Sequence, residues 1–474
     1  MLSYNKFLKE SKNIEDVIQI LKDVTAASEW ETKLYMAGGY VRDKLLKKDP
    51  KDIDFVVEGP PSAGIDAATF IAKKLNVFKQ DSNPVTYPTY GTAKLNIPVN
   101  GEIVEVEFVA PRVEKYEVGS RKPLVFAGTL EDDAKRRDFT VNSLFQNLTT
   151  NEIKDLTGRG ISDLNNKILK TTGDADWIFS EDPLRILRAV RFALKYNFTL
   201  PISVIKAIKN ASKDLNNISK ERIKDELNKI LVLSTPSKAI RLFKITGIMD
   251  IVLPELSKLV DLKQNAYHKD DAFYHTLDVL DKTPPELIRR LSALFHDIGK
   301  AATRTEKNGK VQFIGHANVG SLISKTIMKR LKYSNEDTEK VSKIVAAHMD
   351  LKSGGKEAEI LSDGTLRKLI FKIADNLEPL LDVVHADNIS HSEAASMPEQ
   401  INKIREKISK MDINSILNTK SILDGNDIIQ LGAKGKLVGE IKDRLLNMAL
   451  KNPEFTKEQA INLAKNLIRD SQKQ

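Results

Sequence analysis

The chain contains no cysteine, so disulfide frameworks and thiolate metal sites are excluded, and any bound metal must sit on His, Asp or Glu. It also lacks long apolar runs. None approaches the roughly 18 residues that a membrane span needs, so no membrane role is expected. The opening stretch MLSYNKFLKESKN has no apolar run ending at a small-residue cleavage site and does not read as a secretory signal, which makes the cytoplasm the expected compartment. A strong excess of one charge is missing too: 74 Lys and Arg stand against 65 Asp and Glu. The resulting net charge of +9 suits a polyanionic partner but argues for one only weakly. Histidine is scarce, and all seven residues fall between His268 and His391, which concentrates any imidazole chemistry in that part of the chain.

What is present is globular: 41% apolar and 29% charged residues over 474 positions, too many for one ordinary core and enough for roughly two to four domains. EDVIQILKDVTAAS and SAGIDAATFIAKKLN carry helical apolar spacing. KLYMAGG, DIDFVVEG and GEIVEVEFVAP are short β-rich runs bounded by Gly, Pro or Asp, so the first 150 residues read as an α+β or α/β domain. From DWIFSEDPLRILRAVRFALKY onward the 3.6-residue period dominates. KSGGKEAEILSDGT reads as a loop, and MPEQINKIREKISKMDINSI begins a Lys-rich helical tail that includes the Gly-punctuated LGAKGKLVGE.

In DIDFVV, Asp52 and Asp54 alternate with Ile53 and Phe55, so a strand there projects both carboxylates from one face. Two such acids with a third nearby make a hard-cation site of the kind that two-metal phosphoryl transfer requires. Glu105 and Glu107 alternate in the same way in GEIVEVEFVAP, and either could supply the third acid. Gly38 and Gly39 would let backbone N–H groups approach a triphosphate, and Arg42 could grip its oxygens bidentately. Alone, a Gly-Gly pair is a turn and an isolated D-x-D a solvated strand end. Only the combination is informative.

Further along, Arg136, Arg137 and Asp138 in RRDFTVN are too polar to bury unpaired. In FSEDPLRILRAVRFALKY, Asp182 could cap a helix with Pro183 at its first position. Asp182, Arg185 and Arg188 step by three, forming one slanted polar stripe that Arg191 continues. A carboxylate and a guanidinium side by side offer the acceptors and donors needed to read a base edge without a template.

With GGYVRD, DIDF, RRDFTVN and EDPLRILRAVRF in this order and spacing, the chain resembles the bacterial-type (class II) tRNA nucleotidyltransferase and poly(A) polymerase family. The resemblance implies Asp52 and Asp54 as Mg²⁺ ligands and favours Glu107 over Glu105 as the third catalytic carboxylate. Gly39, Arg42 and Arg137 would contact the nucleotide. Asp182 and Arg185 would read the base, with Arg188 and Arg191 also at the nucleotide and Glu181 orienting Arg185. The matching SKERIKDELNKIL belongs to a helical neck, where structural salt bridges are expected.

His275, the pair His296-Asp297, and Asp387 follow the order H, HD, D of the HD phosphohydrolase superfamily. Imidazoles with carboxylates suit Ni²⁺, Mn²⁺, Fe²⁺ or Mg²⁺. His316 and His348 stand where some HD enzymes place ligands to a second ion, and some relatives act on 2′,3′-cyclic phosphates or 2′-phosphates.

The expected fold is therefore α+β: a helical extension (1–30), a polymerase-β-like nucleotidyltransferase head with a small mixed sheet (31–150), an all-α neck (151–262), an HD domain (263–392) and a helical tail (393–474). The expected activity is addition of CCA to tRNA from CTP and ATP. Poly(A) synthesis or C-only or A-only addition is the alternative, and an HD phosphohydrolase with an RNA-binding head the second.

Overall fold

Period-two alternation builds the first sheet. The computed structural model describes residues 2–50, 52–77, 83–115, 124–264, 271–351, 361–393 and 396–472; His268 and most of the expected loop at 352–365 lie outside them. Strands β1 (Leu34–Ala37), β2 (Asp54–Val57), β3 (Val85–Tyr87), β4 (Thr92–Val99), β5 (Glu102–Val109), β8 (Leu144–Asn147) and β9 (Ile153–Asp155) form one mixed sheet in the order β3-β4-β5-β2-β1-β8-β9, while β6 (Arg112–Lys115) and β7 (Leu124–Ala127) pair separately. Only β2 and β5 pair in parallel within the sheet, and their register sets Phe55 beside Phe108 and Asp54 beside Glu107.

One face of the sheet carries Phe55 and Phe108, fully buried and stacked at 5.4 Å. The other carries Tyr35, Ala37, Val56 and Phe145, which bury Leu130 and Ala134 of a short helix, Leu130–Arg136. That helix starts at a capping box, in which Thr129 Oγ1 accepts from Asp132 N–H while the Asp132 carboxylate accepts from Thr129 N–H. Asp54 lies two residues before Val56 and so shares its face, where the helix delivers Arg137. The β4–β5 turn is Asn100-Gly101, with φ of 52° and 75°, the left-handed pair that a two-residue hairpin needs.

Contacts divide the chain into two compact units, Met1–Ile218 and Ser219–Gln474. The first ends with helices that include Ala175–Glu181, Leu184–Tyr196 and Ile202–Ala211. The second is helical apart from a hairpin, Thr305–Lys307 with Lys310–Gln312, turning on a second Asn-Gly at 308–309. In SKERIKDELNKIL the helix Lys220–Leu231 buries Ile223, Glu226, Leu227 and Ile230, and Glu226 pairs with Lys229 at 3.4 Å, so this stretch has the packing and salt-bridge character expected of it. The C-terminal helices close over Leu423, Ile428, Ile441, Leu445 and Ile468.

The histidines sit among the helices Ala272–Lys282, Leu287–Phe295, His316–Arg330, Asn335–Ala347 and Leu377–Asn388. Here Gly299 matters: a Cβ at that position would lie 2.2 Å from His316 O and 2.6 Å from Gly320 N. The HDIG turn and the start of the His316 helix can touch only because both partners are glycine. Gly299→Ala should therefore destabilise the second unit by about 1–3 kcal/mol, read as a lower urea midpoint for its transition; an unchanged midpoint would contradict the close packing.

Candidate active sites

Asp52 precedes β2, which begins at Asp54, yet the alternation holds: Asp52 and Asp54 are exposed while Ile53 and Phe55 are buried. The strand register settles which glutamate lies beside them. Glu107 is the direct neighbour of Asp54, whereas Glu105 is one step removed along β5 and bonded to Lys94 at 2.6 Å. The surroundings act on Asp54. Burial of its carboxyl, the negative charge of Glu107 and that of Asp52 push it up to about 6, although Arg137 and Lys94 oppose them. Three acids this close together fit a hard divalent cation.

Next to this cluster, the glycine pair accommodates two guanidinium tips. Gly38 has φ of 63°, and a Cβ there would meet Arg137 Nη1 at 2.7 Å; a Cβ on Gly39 would meet Arg42 Nη2 at 3.8 Å. Arg42 is 4% exposed and closely held. Its Nε donates to Asp43 Oδ1 at 2.8 Å, Nη1 to Asn142 Oδ1 at 2.5 Å and Nη2 to Tyr196 Oη at 2.5 Å, while its guanidinium lies 4.3 Å from the Tyr196 ring centre. Asn142 passes the network on, donating through Nδ2 to Asp138 Oδ1 at 2.9 Å, and Asp138 Oδ2 accepts from Arg188 Nε at 2.8 Å. Burial alone would raise the Asp138 pKa, but Arg188 and Asn142 outweigh it and hold the carboxyl below its ordinary value.

Arg137 donates through Nε to Asp133 Oδ2 at 2.8 Å and through Nη1 to Asn142 O at 3.2 Å, and lies over Phe145. Arg136 takes the other oxygen of Asp133 at 2.6 Å. Asp133 is 1% exposed; burial opposes its charge, yet the two guanidinium groups keep its pKa low.

On the helix Leu184–Tyr196 positions 185 and 188 are half-buried between buried neighbours; Asp182 is half-buried too but lies in extended backbone before the helix, whose N-cap is Pro183 rather than the expected Asp182. Asp182 lies one residue before Pro183, the residue that precedes the helix, and accepts from Leu184 N–H at 3.2 Å. Arg185 Nη1 donates to Glu181 Oε2 and Ile178 O, both at 3.0 Å, and Nη2 to Arg136 O at 2.7 Å. Arg191 is buried with its guanidinium 4.4 Å from the Phe192 ring centre.

In the second unit six buried side chains converge. His275, His296 and Asp387 form one triad of candidate ligand atoms; Asp297, His316 and His348 form another. Asp297 faces both, with Oδ2 3.1 Å from His296 Nε2 and Oδ1 3.3 Å from His316 Nε2. His296, His316 and His348 each direct Nδ1 at a backbone carbonyl, Ala293, Phe313 and Val345 respectively, at 2.7–2.8 Å. A carbonyl only accepts, so each Nδ1 carries a proton and each Nε2 is the atom left facing the cluster, with His316 Nε2 3.2 Å from His348 Nε2. His296 Nε2 is fully buried, with the Asp297 carboxylate at 3.1 Å as its neighbour. Six buried imidazole and carboxylate groups converging in this way fit divalent metal.

Three residues of these arrangements carry no motif signature. Asp133 could have been found by its i,i+3 and i,i+4 spacing to Arg136 and Arg137. Tyr196 lies one helical turn beyond Phe192 and reads simply as core. Lys300, at 2.6 Å from Asp297 Oδ2 and 5% exposed, follows the HD pair by three residues but reads as a surface lysine.

Comparison with known proteins gives three family-model matches, the second of which crosses the boundary between the two compact units. Residues 34–170 match the family model described as the poly A polymerase head domain, 197–259 that of a probable RNA and SrmB-binding site of polymerase A, and 274–380 that of the HD domain. The Multifunctional CCA protein of Stenotrophomonas maltophilia is 30% identical over 71% of this chain and 80% of its own length. The CC-adding tRNA nucleotidyltransferase of Thermus thermophilus is 29% identical over 90% of this chain and 92% of its own. Among solved structures, the Bacillus stearothermophilus CCA-adding enzyme in complex with CTP shares the fold with a TM-score of 0.65 at 22% identity, covering 98% of both chains.

The crowded carboxylates make a prediction for the metal-free protein. Because the folded-state pKa of Asp54 is raised, the folded chain keeps a proton that the unfolded chain releases, and stability falls as pH rises from the ordinary carboxylate range through about 6. Asp54→Asn removes that loss. After discounting for solvent screening it should be about 1 kcal/mol more stable than the natural chain at pH 7.5 in chelator, by thermal denaturation. Equal stability at pH 7.5 would show that the carboxylates do not repel.

Proposed function

The chain belongs to the tRNA nucleotidyltransferase and poly(A) polymerase family, and from that premise we propose that it adds CCA to the 3′ end of tRNA from CTP and ATP, releasing pyrophosphate. The observation that carries this reading is the placement of Asp54 beside Glu107, two residues from Asp52 and against Arg137. Asp52 and Asp54 hold Mg²⁺, with Glu107 as the third carboxylate. When bound, the ion supplies charge neutralisation at the phosphates and lowers the pKa of the attacking hydroxyl. The RNA 3′-oxygen attacks the α-phosphorus; the new O–P bond forms as the bond to pyrophosphate breaks, and the hydroxyl proton is released. Gly38 and Gly39 let Arg137 and Arg42 reach the nucleotide. Asp182 and Arg185, the latter fixed by Glu181 and by two backbone carbonyls, read the base edge, with Arg188 and Arg191 behind them. The cytoplasm is the compartment we assign; no helix among the described residues is long and apolar enough to cross a membrane.

The test is extension of tRNA lacking its last three nucleotides, supplied with Mg²⁺ and CTP, ATP or both, with the ends sequenced. Addition of CC with CTP and of CCA with both is expected. Unlimited A would favour poly(A) synthesis, a stop after CC a partial enzyme, and no extension a binding module. Asp52→Ala should lose extension by at least about 100-fold while still binding tRNA in a gel shift.

A second activity is favoured by the sharing of Asp297 between two ligand triads. We assign this site two divalent ions, of the Ni²⁺, Mn²⁺, Fe²⁺ or Mg²⁺ class, and hydrolysis of phosphoesters such as 2′,3′-cyclic phosphates or 2′-phosphates. When bound, metal supplies a hydroxide nucleophile; the chain's part is to hold six donors with fixed tautomers in a water-poor pocket. Metal analysis after loading and desalting should give two ions per chain at this site and one in His316→Ala, both measured on an Asp52→Ala background. A single ion before the histidine substitution would refute the shared-carboxylate reading.

A further inference from the structure

Tyr196 closes a small ring of polar contacts that nothing in the motifs accounts for. Its hydroxyl oxygen accepts from Arg42 Nη2 at 2.5 Å, its proton is aimed at Asp43 Oδ2 at 3.3 Å, and Asp43 in turn accepts from Arg42 Nε at 2.8 Å. The phenol ring centre lies 4.3 Å from the guanidinium carbon, and the ring is near-parallel to Phe192 at 5.8 Å and to Phe198 at 5.6 Å. Tyr196 is 6% exposed, so its position is set by this packing rather than by solvent. It is also the last residue of the helix Leu184–Tyr196, whose other end carries Arg185 and follows Asp182.

We propose that Tyr196 is a positioning residue for nucleotide binding: it presents the Arg42 guanidinium beneath the Gly39 turn at the angle needed to meet the triphosphate, and ties that grip to the helix that reads the base. The inference rests on the reading that Arg42 serves the nucleotide. A guanidinium on a long side chain loses most of its binding value if it must be ordered at the moment of contact, and a buried hydroxyl that fixes its plane in advance removes that cost. Asn142 holds Nη1, and Asp43 Oδ1 meets both Nε and Nη2 at 2.8 Å; among the described residues Tyr196 adds a hydroxyl acceptor for Nη2 together with a ring 4.3 Å from the guanidinium, with Phe192 at 5.0 Å. Because the same residue terminates the Arg185 helix, a shift of that helix on meeting a base is felt at Arg42.

Tyr196→Phe keeps the stack and removes only the hydroxyl. In the full-length Mg²⁺-loaded protein, its Kd for CTP should rise about tenfold, the loss expected for one hydrogen bond to a charged group, while its Kd for CMP, which lacks the β- and γ-phosphates, stays within about twofold. KM for CTP and for ATP should rise together, with KM for the RNA unchanged. Equal weakening of CTP and CMP would reduce Tyr196 to a structural residue, and unchanged CTP binding would overturn the proposal. Arg42→Lys separates the two layers: if it weakens CTP while Tyr196→Phe does not, the positioning role alone fails. If Arg42→Lys leaves CTP binding intact, the assignment of Arg42 to the nucleotide is what has failed, and the role of Tyr196 falls with it.

Discussion

The first unit's site depends on buried acceptors that compel arginines to point inward. Asp133 and Asp138 are each buried, and each keeps its charge because guanidinium groups surround it. Removing one side of such a pair leaves an uncompensated charge in a low-dielectric interior, which costs several kcal/mol, so the arginines are fixed as firmly as core side chains. Asn142 connects the two halves of the arrangement: its amide serves Arg42 and Asp138 at once, and its backbone carbonyl accepts from Arg137. Three separate sequence motifs thus become one polar framework in which no member can move alone.

That rigidity complements an opposite condition at the carboxylates. Asp54 is raised to about 6 by burial first and then by the charges of Glu107 and Asp52, an arrangement that works against the folded protein when no cation is present. The sheet imposes the conflict. Parallel pairing of β2 and β5 is the one pairing of its kind within the sheet, and it sets two acids side by side at the edge of a face otherwise filled by Val56, Phe145 and Ala37. Destabilisation here and over-determination a few residues away are two aspects of preorganisation: the cation site stays receptive and the cationic side chains stay put.

Much of this was legible in the residues. The alternation of Asp52 to Phe55 and the stripe at 182, 185 and 188 survive in the burial pattern, because period-two and period-three exposures depend only on which side of an element meets the core. Which glutamate lies beside Asp54 was not legible from alternation alone. Glu105 and Glu107 lie on the same face, and only the β2–β5 register distinguishes them. Register is a long-range property, set by which strand becomes the neighbour. For the same reason the partners of Arg42 were invisible, since Asn142 and Tyr196 lie 100 and 154 positions away. The role read for the glycine pair also gained a part: the absent Cβ of Gly38 makes room for the tip of Arg137, while the Arg42 tip passes Gly39 at ordinary contact distance. Two hairpins on Asn-Gly, at 100–101 and 308–309, did carry a local signal, and the strands flanking the first alternate as a hairpin requires; those flanking the second, Thr305–Lys307 and Lys310–Gln312, lack that apolar alternation.

The second unit meets the same problem by a different route. Its six ligand-type groups are buried, and three of them are oriented by backbone carbonyls: His296, His316 and His348 spend Nδ1 on the turn behind them and leave Nε2 facing the cluster, while His275 meets Asp387 at 3.1 Å. Such a site needs no long-range salt bridges, only helices at the right separation, and Gly299 against Gly320 is what brings two of them close enough. Lys300 beside Asp297 then has a clear physical place, since its ammonium balances part of a carboxylate that two histidine triads share. In one unit the acceptors are buried to fix cations, and in the other backbone carbonyls fix imidazoles around an acid; the chemistry each can support follows from which of the two is held still.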